Sequence, residues 1–290
     1  MECKERNGNV IATDNGQDKL LSKLYGSVSG RSLLKVLTIP AISKIAGFFL
    51  DTRLSSCLVN SFIKKNNIDM TEYGGIHQYA SFNDFFTRQI KKEFRPIDNN
   101  SQILISPSDG RVTIYDINDD SAINIKDTLY NVETITNSKK AANIYRGGKF
   151  VIVRLCVDNY HRYCYIDNGR KTNNKFIPGK LHTVNPIANE YFEIYKENSR
   201  ECSVLYTENF GRVMQIEVGA LLVGRIKNHD QAAFISRGTE KGMFEFGGST
   251  ICLLFEKDKV IFDKDILNNT RDGFETAIKM GERIGIKNSI

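Results

Sequence analysis

Phe244-Glu245-Phe246-Gly247-Gly248-Ser249-Thr250 runs directly into Ile251-Cys252-Leu253-Leu254-Phe255, so a paired-glycine turn opens an apolar run of strand length. Working outward, similar runs occupy 112–115, 150–155, 213–218 and 220–226, each bounded by turn residues. From Ile103 onward the chain therefore reads as β-rich. Upstream the period changes. Ile42, Ile45, Ala46 and Phe49, then Leu54, Leu58, Val59, Phe62 and Ile63, recur at helical spacing, and Pro40 interrupts or opens a helix. Ser81-Phe82-Asn83-Asp84-Phe85-Phe86-Thr87-Arg88 reads as a short helix, with Ser81 as N-cap and Asp84 as a capping-box partner, ended by Arg95-Pro96-Ile97. Residues 270–284 read as a closing helix stopped by Gly285, and residues 1–19 as a polar, mobile tail. The expected fold class is α+β: N-terminal amphipathic helices, a β-rich body and a C-terminal helix.

The 290 residues can build a sizeable core, and 26% charged with 41% hydrophobic residues is a globular composition. The net charge of +6 admits an anionic partner, nucleic acid or acidic lipid, or no particular partner at all. From Ser249 to the C-terminus seven Lys/Arg balance seven Asp/Glu, whereas between Arg31 and Lys65 six basic residues face the single acid Asp51. A basic amphipathic segment suits a membrane surface, and equally a helical hairpin packed on the core. The most apolar stretch, 33–50, is broken by Lys35, Pro40 and Lys44, so no spanning helix is expected. Six scattered cysteines without a Cys-x-x-Cys pair, and no recognisable signal peptide, lead us to expect reduced thiols in a cytoplasm.

Ser249 carries the most specific chemistry. A serine hydroxyl can attack the carbonyl carbon of the preceding residue and convert the peptide into an ester. Glycines leave the backbone free to bring the two together. The step needs a base for the hydroxyl and donors for the developing oxyanion. Removal of the serine α-proton then expels the ester, and the resulting dehydroalanine hydrolyses to a pyruvoyl group. A plain glycine turn before a strand is the commoner use of such a sequence. Asp109, in Ser106-Pro107-Ser108-Asp109-Gly110, is either a turn aspartate or a carboxylate that orients an imidazole. His161, just past the 150–155 run, suits acid–base work. His161 and Cys164 lack a second pair with ligand spacing, so zinc is not indicated. His182, in Leu181-His182-Thr183-Val184-Asn185-Pro186, lines a pocket or caps a turn.

Taken in order over 82–285, these motifs resemble the phosphatidylserine decarboxylases, pyruvoyl-dependent enzymes of the prokaryotic proenzyme type. The resemblance rests on Phe82-Asn83-Asp84-Phe85-Phe86-Thr87-Arg88, the Ser106–Gly110 turn, Asp158-Asn159-Tyr160-His161-Arg162 and Leu181–Pro186. Arg95-Pro96-Ile97, Val218-Gly219-Ala220, Val223-Gly224-Arg225-Ile226 and Lys241–Thr250 complete it. It implies cleavage between Gly248 and Ser249, giving a β chain (1–248) and an α chain (249–290) that starts with pyruvoyl. It implies a catalytic region over 81–290 and a tail with helical membrane docking over 1–80. The implied reaction condenses the pyruvoyl with the amine of phosphatidylserine as a Schiff base, releasing CO2 and phosphatidylethanolamine. The implied partners are an anionic membrane surface, the two chains of the same proenzyme and a homodimer, not nucleic acid. The implied site is peripheral, on the cytoplasmic side of the cell membrane. Many family members carry a second histidine, often assigned to the serine triad, where this chain has Cys164. His161, oriented by Asp109, is therefore the expected base for Ser249. Cys164 is its weaker rival, and His182 a candidate for substrate contact or proton transfer. The readings from other classes are a pyruvoyl decarboxylase of a soluble amino acid and an uncleaved, non-catalytic β-rich module.

Overall fold

The structure, a computed structural model, describes residues 2–11, 23–74, 79–125, 128–185, 191–220, 225–246 and 249–289. The strands in chain order are β1 (Cys3–Lys4), β2 (Val10–Ile11), β3 (Ile103–Ile105), β4 (Gly110–Asp116), β5 (Ala122–Ile125), β6 (Thr128–Asn131), β7 (Lys149–Leu155), β8 (Arg162–Cys164), β9 (Gly169–Lys171) and β10 (Lys175–Ile177). They continue as β11 (Arg200–Thr207), β12 (Arg212–Val218), β13 (Ile226–Asn228), β14 (Ala233–Ile235), β15 (Glu240–Phe244), β16 (Ser249–Phe255), β17 (Val260–Phe262), β18 (Glu275–Ile278) and β19 (Arg283–Lys287). The helices are α1 (Val28–Leu37), α2 (Pro40–Leu50), α3 (Cys57–Lys65), α4 (Phe82–Phe86), α5 (Val132–Thr136), α6 (Lys139–Tyr145), α7 (Ile194–Glu197) and α8 (Lys264–Arg271).

An 11-stranded sheet in the order β14-β9-β11-β12-β16-β7-β4-β18-β1-β2, with β10 also on β11, forms the frame. β16 lies near its middle, antiparallel to β12 and β7. All seven of its residues are buried, as expected of a strand that reads as continuous apolar sequence rather than as an alternation. The period of two still sorts its side chains. Cys252 and Leu254 join one core with Phe150, Ile152, Ile216 and Tyr145. Ile251, Leu253 and Phe255 join the opposite core with Val153, Leu155, Tyr163, Cys164 and Phe244. A small sheet, β13-β15-β8, contributes to this second layer.

The N-terminal helices fall where the helical spacing predicts. Pro40 opens α2 with no backbone N–H to lose. Leu50 of α2, Val59 of α3 and Phe82, Phe85 and Phe86 of α4 build a third core, against which Phe62 and Phe246 pack. The Ser81 hydroxyl accepts from Asp84 N at 3.1 Å, while the Asp84 carboxylate accepts from Ala80 N at 2.9 Å, one residue before the position a capping box would use. Among the described residues no helix is long and apolar enough to cross a membrane.

Two expectations are corrected. The closing helix is α8, earlier than 270–284, and the chain then forms β18 and β19. Ala277, Met280 and Ile284 imitate a helical face. However, Gly273 (φ 84°) and Gly281 (φ 85°) adopt left-handed backbone that ends the helix and turns the strands. The tail also contains structure: Cys3 and Lys4 pair in parallel with Glu275 and Thr276 of β18. Two residues are too few to read as a strand from sequence; the open edge of β18 supplies the partner.

Candidate active site

Strand register gathers the sequence motifs at one end of the large sheet. Ser249, first in β16, lies opposite Leu155, last in β7. Thr250 lies opposite Val218, last in β12. Gly110, first in β4, pairs with Ile278, last in β18. Asp109 immediately precedes β4, His161 follows β7, and Asn198 precedes β11. Neighbouring antiparallel strands start and stop together, so segments distant in sequence meet at this edge.

Ser249 is fully buried and, by alternation from Ile251, faces the core that holds Leu155, Tyr163, Cys164 and Phe244. Its Oγ has no hydrogen-bond partner among the described residues. An unpaired buried hydroxyl costs about 1–3 kcal/mol, a penalty that a reactive group can explain. Thr250 Oγ1 is also unpartnered, so the orphaned hydroxyl gains meaning from its surroundings. Gly247 and Gly248, and with them the expected scissile bond, lie outside the described residues, as do Val223, Gly224 and Pro186 of the quoted motifs.

His161 is fully buried beside the segment that leads to Ser249. Its ring lies 4.1 Å from that of Phe86, which is 5.1 Å from Phe246, and its carbonyl accepts from Phe244 N at 3.0 Å. Asn83 on α4 completes the clamp, accepting from Phe246 N at 3.2 Å. The 82–88 motif thus holds both the imidazole and the arm that precedes Gly247. His161 Nδ1 is 2.9 Å from the carbonyl oxygen of Asn159. A carbonyl only accepts, so Nδ1 carries the proton and Nε2 keeps the lone pair in the neutral ring. Asn159 is itself fixed by its Oδ1, which accepts from Cys156 N at 2.8 Å.

Asp109 is engaged elsewhere. Arg95 Nε and Nη2 donate to its Oδ1 and Oδ2 at 2.7 and 2.6 Å, and Met280 N donates to Oδ1 at 2.9 Å. No described hydrogen bond joins it to His161, whose orienting partner is the Asn159 carbonyl. Asp109 is instead a neighbour of Cys164, whose amide donates to Pro107 O at 2.8 Å. Burial pushes the Cys164 thiol up to about 12, with the Asp109 charge adding to the rise, so it is a neutral thiol near pH 7. Breaking a buried ion pair strands a charge. In an uncleavable Ser249→Ala background, Asp109→Ala should lower the unfolding free energy by about 3–5 kcal/mol, and adding Arg95→Met should recover most of it. Urea melts of the two variants check this.

His182 is buried with its ring stacked on Phe192 at 4.2 Å. Asn198 holds its backbone and also donates to Gly219 O, one residue past Val218, which ties His182 to the Ser249 end of the sheet. Neither ring nitrogen has a hydrogen-bond partner among the described residues, and Glu197 is 3.8 Å away. Burial lowers the pKa from 6.5 to about 4, outweighing the Glu197 charge. The neutral ring therefore contributes stability above pH 6.5 that is lost as pH falls toward 4. The loss should be on the order of 2–3 kcal/mol, and His182→Phe should flatten it in denaturation curves across that range.

Two cavities flank the Asp109–Arg95 pair. One of about 640 Å³ is lined by Arg6, Arg111, Asp109 and Asn159. Another of about 600 Å³ is lined by Arg95, Tyr160, Cys164 and Arg237. The family model described as phosphatidylserine decarboxylase matches residues 82–286, from α4 into β19. The chain belongs to the phosphatidylserine decarboxylase family. It is 47% identical over 275 residues to phosphatidylserine decarboxylase proenzyme 2 of Clostridium acetobutylicum, covering 94% of this chain and 93% of the relative. It is 40% identical to the phosphatidylserine decarboxylase proenzyme of Clostridium perfringens and 41% identical to that of Clostridium tetani, each over 93% of this chain. These alignments cover 93% and 92% of the respective relatives. Within this phosphatidylserine decarboxylase family chain, sequence reading missed Arg95 as the partner of Asp109 and Asn159 as the holder of His161. Asn159, two residues before the histidine, left a local signal. Arg95 was visible only as the end of a motif.

Proposed function

We propose that the chain cuts itself between Gly248 and Ser249 and that the processed enzyme converts phosphatidylserine to phosphatidylethanolamine and CO2 in phospholipid biosynthesis. The observation that carries this reading is Ser249. A buried hydroxyl with no partner among the described residues opens the central strand, in a chain whose family relatives are named proenzymes. His161 takes the hydroxyl proton through Nε2, with the Asn159 carbonyl holding its tautomer. The Ser249 oxygen bonds to the Gly248 carbonyl carbon as the C–N bond breaks. Loss of the α-proton then releases the Gly248 carboxylate and leaves dehydroalanine, which water converts to pyruvoyl and ammonia. Asp109, locked by Arg95, fixes the 106–109 turn and supplies negative potential beside position 164.

The buried Ser249 position at a strand start, its hydroxyl without a partner among the described residues, fits a pyruvoyl group, which needs no side-chain ligands because it is part of the chain. Once formed, its ketone supplies an electrophile for the substrate amine and a sink for the electrons of the carboxylate bond. The remaining tasks fall to the chain's own residues. The third core walls off the Phe246 side. His182, buried and neutral with both nitrogens uncommitted among the described residues, can hold or deliver a proton. Release of CO2 from phosphatidylserine but not from free serine is the test of the substrate.

Residues 81–290 form the catalytic part in this reading and 1–80 the docking part, on the cytoplasmic face of the cell membrane. Support comes from α2 and α3, whose buried sides pack on Phe82 and Phe86 while Ile45, Phe48, Phe49, Leu54 and Leu58 are exposed, as are Arg53, Lys64 and Lys65 of the same segment. A segment that exposes both apolar side chains and cations matches an anionic bilayer surface. Phe48→Ser with Leu54→Ser should lower flotation with phosphatidylserine vesicles at least about tenfold, since burying each large apolar side chain is worth about 1.5–3 kcal/mol. Unchanged flotation would remove this surface from the docking role.

A further inference from the structure

Beside Ser249 lies an ion pair that the proposed chemistry does not use. Lys241 Nζ donates to Glu217 Oε1 at 2.7 Å, and both side chains are 0% exposed. Lys241 also donates to Asn228 Oδ1 at 2.6 Å. Asn228 Nδ2 in turn donates to Glu201 at 2.7 Å and to Glu217 at 3.2 Å. Tyr163 OH donates to Asn228 Oδ1 at 3.2 Å. Such a pair is weak evidence for stability, because desolvating two charges cancels much of their attraction and apolar replacements of similar volume are often neutral. Here the cost is raised further, since Glu201 and Glu217 lie directly opposite each other on β11 and β12. A costly device invites a role other than holding the fold.

Its place in the sheet indicates that role. Glu217 is opposite Ile251 on β16, and Ser249 is two residues along on the same face, a diagonal spacing of about 7–8 Å. Lys241 comes from β15, the strand that leads into the scissile segment. It is the extra residue of a bulge: Glu240 pairs with Cys164 and Gly242 with the adjacent Tyr163. Bulges re-aim side chains, and this one turns Lys241 into the interior. Gly242 lets β15 settle there, since a Cβ would come within 2.2 Å of Lys227 O and 2.7 Å of Tyr163 OH. Further along, Lys227 and Arg225 hold the Glu245 carboxylate, and Asn83 holds the Phe246 amide. Those contacts tie the arm to β13, its flank and α4. Lys241 ties it to β12, the strand next to Ser249.

We propose that Glu217–Lys241 is a positioning pair for self-cleavage: it fixes β15, the arm that delivers the Gly248 carbonyl, against the strand beside the Ser249 hydroxyl. This rests on the self-cleavage reading above. The test is a cleavage time course, followed on gels, for freshly folded wild type, Glu217→Leu/Lys241→Met and Glu217→Asp, with the folded fraction measured by circular dichroism. The double variant should stay folded and cut at least about tenfold more slowly, because misplacing reacting atoms by about 1 Å can cost a hundredfold. Glu217→Asp keeps both charges but shortens the tether, and should also fold and cut more slowly. Hydroxylamine, which cleaves esters, should not restore cutting, since the pair acts before the ester forms. A folded variant of either kind cutting at the wild-type rate would overturn the proposal. So would slowing that merely matches lost folded fraction, or hydroxylamine cutting a slow variant to the wild-type extent. An uncut wild type would instead sink the self-cleavage reading itself.

Discussion

Ser249→Ala is expected to remain a single chain of 32.9 kDa and to release no CO2 from phosphatidylserine. The substitution removes one oxygen from a fully buried site where that oxygen bonds to no described residue. It should therefore leave the fold intact or slightly stabilised, because deleting an unsatisfied buried hydroxyl relieves about 1–3 kcal/mol of desolvation cost. Without the nucleophile there is no ester, no elimination and no pyruvoyl group, so processing and decarboxylation vanish together. That combination, a native melting curve with complete loss of both activities, separates a reacting serine from a turn residue. A cut or active Ser249→Ala protein would return the glycine pair to its ordinary role as a turn.

The second large effect divides His161 from Cys164. His161→Ala should slow processing by about 10²–10⁴-fold, the usual worth of a positioned general base. Cys164→Ala should process within a few-fold of wild type. Burial holds the thiol near pKa 12, and a group that is almost wholly protonated at neutral pH cannot take the serine proton efficiently. Among the described contacts the His161 ring is held by the Asn159 carbonyl and the ring of Phe86, and none of them comes from Asp109. Asp109→Asn should consequently affect processing less than His161→Ala, acting through Arg95 and the 106–109 turn. Gels resolving the two pieces over time decide the order. Normal processing of His161→Ala would remove the imidazole from the base role.

How much of this was legible beforehand depends on the range of the interaction. The 150–155 and 250–255 runs read as strands because a central strand covered on both faces is apolar throughout. The Ser81 cap and the Pro40 helix start read correctly because both are decided within one helical turn. The closing helix was misplaced because apolar spacing at 277, 280 and 284 outweighed two glycines whose positive φ values decide the backbone. Site members were legible as types; their partners were not. Asp109 looked like an imidazole's carboxylate, yet its described partners are the buried guanidinium of Arg95 and the amide of Met280 in the turn between β18 and β19, both remote from the local motif. Glu217 and Lys241 gave no local sign of their pairing. It depends on a one-residue bulge in β15 that turns a lysine inward.

The most direct measurement is the intact mass of purified wild-type protein, followed by N-terminal sequencing of the smaller piece. Self-cleavage with pyruvoyl formation predicts two chains, 1–248 and 249–290, the second lighter by one ammonia than a serine-initiated chain and blocked to sequencing. A single chain of 32.9 kDa, or a small piece beginning with a free Ser249, would contradict it.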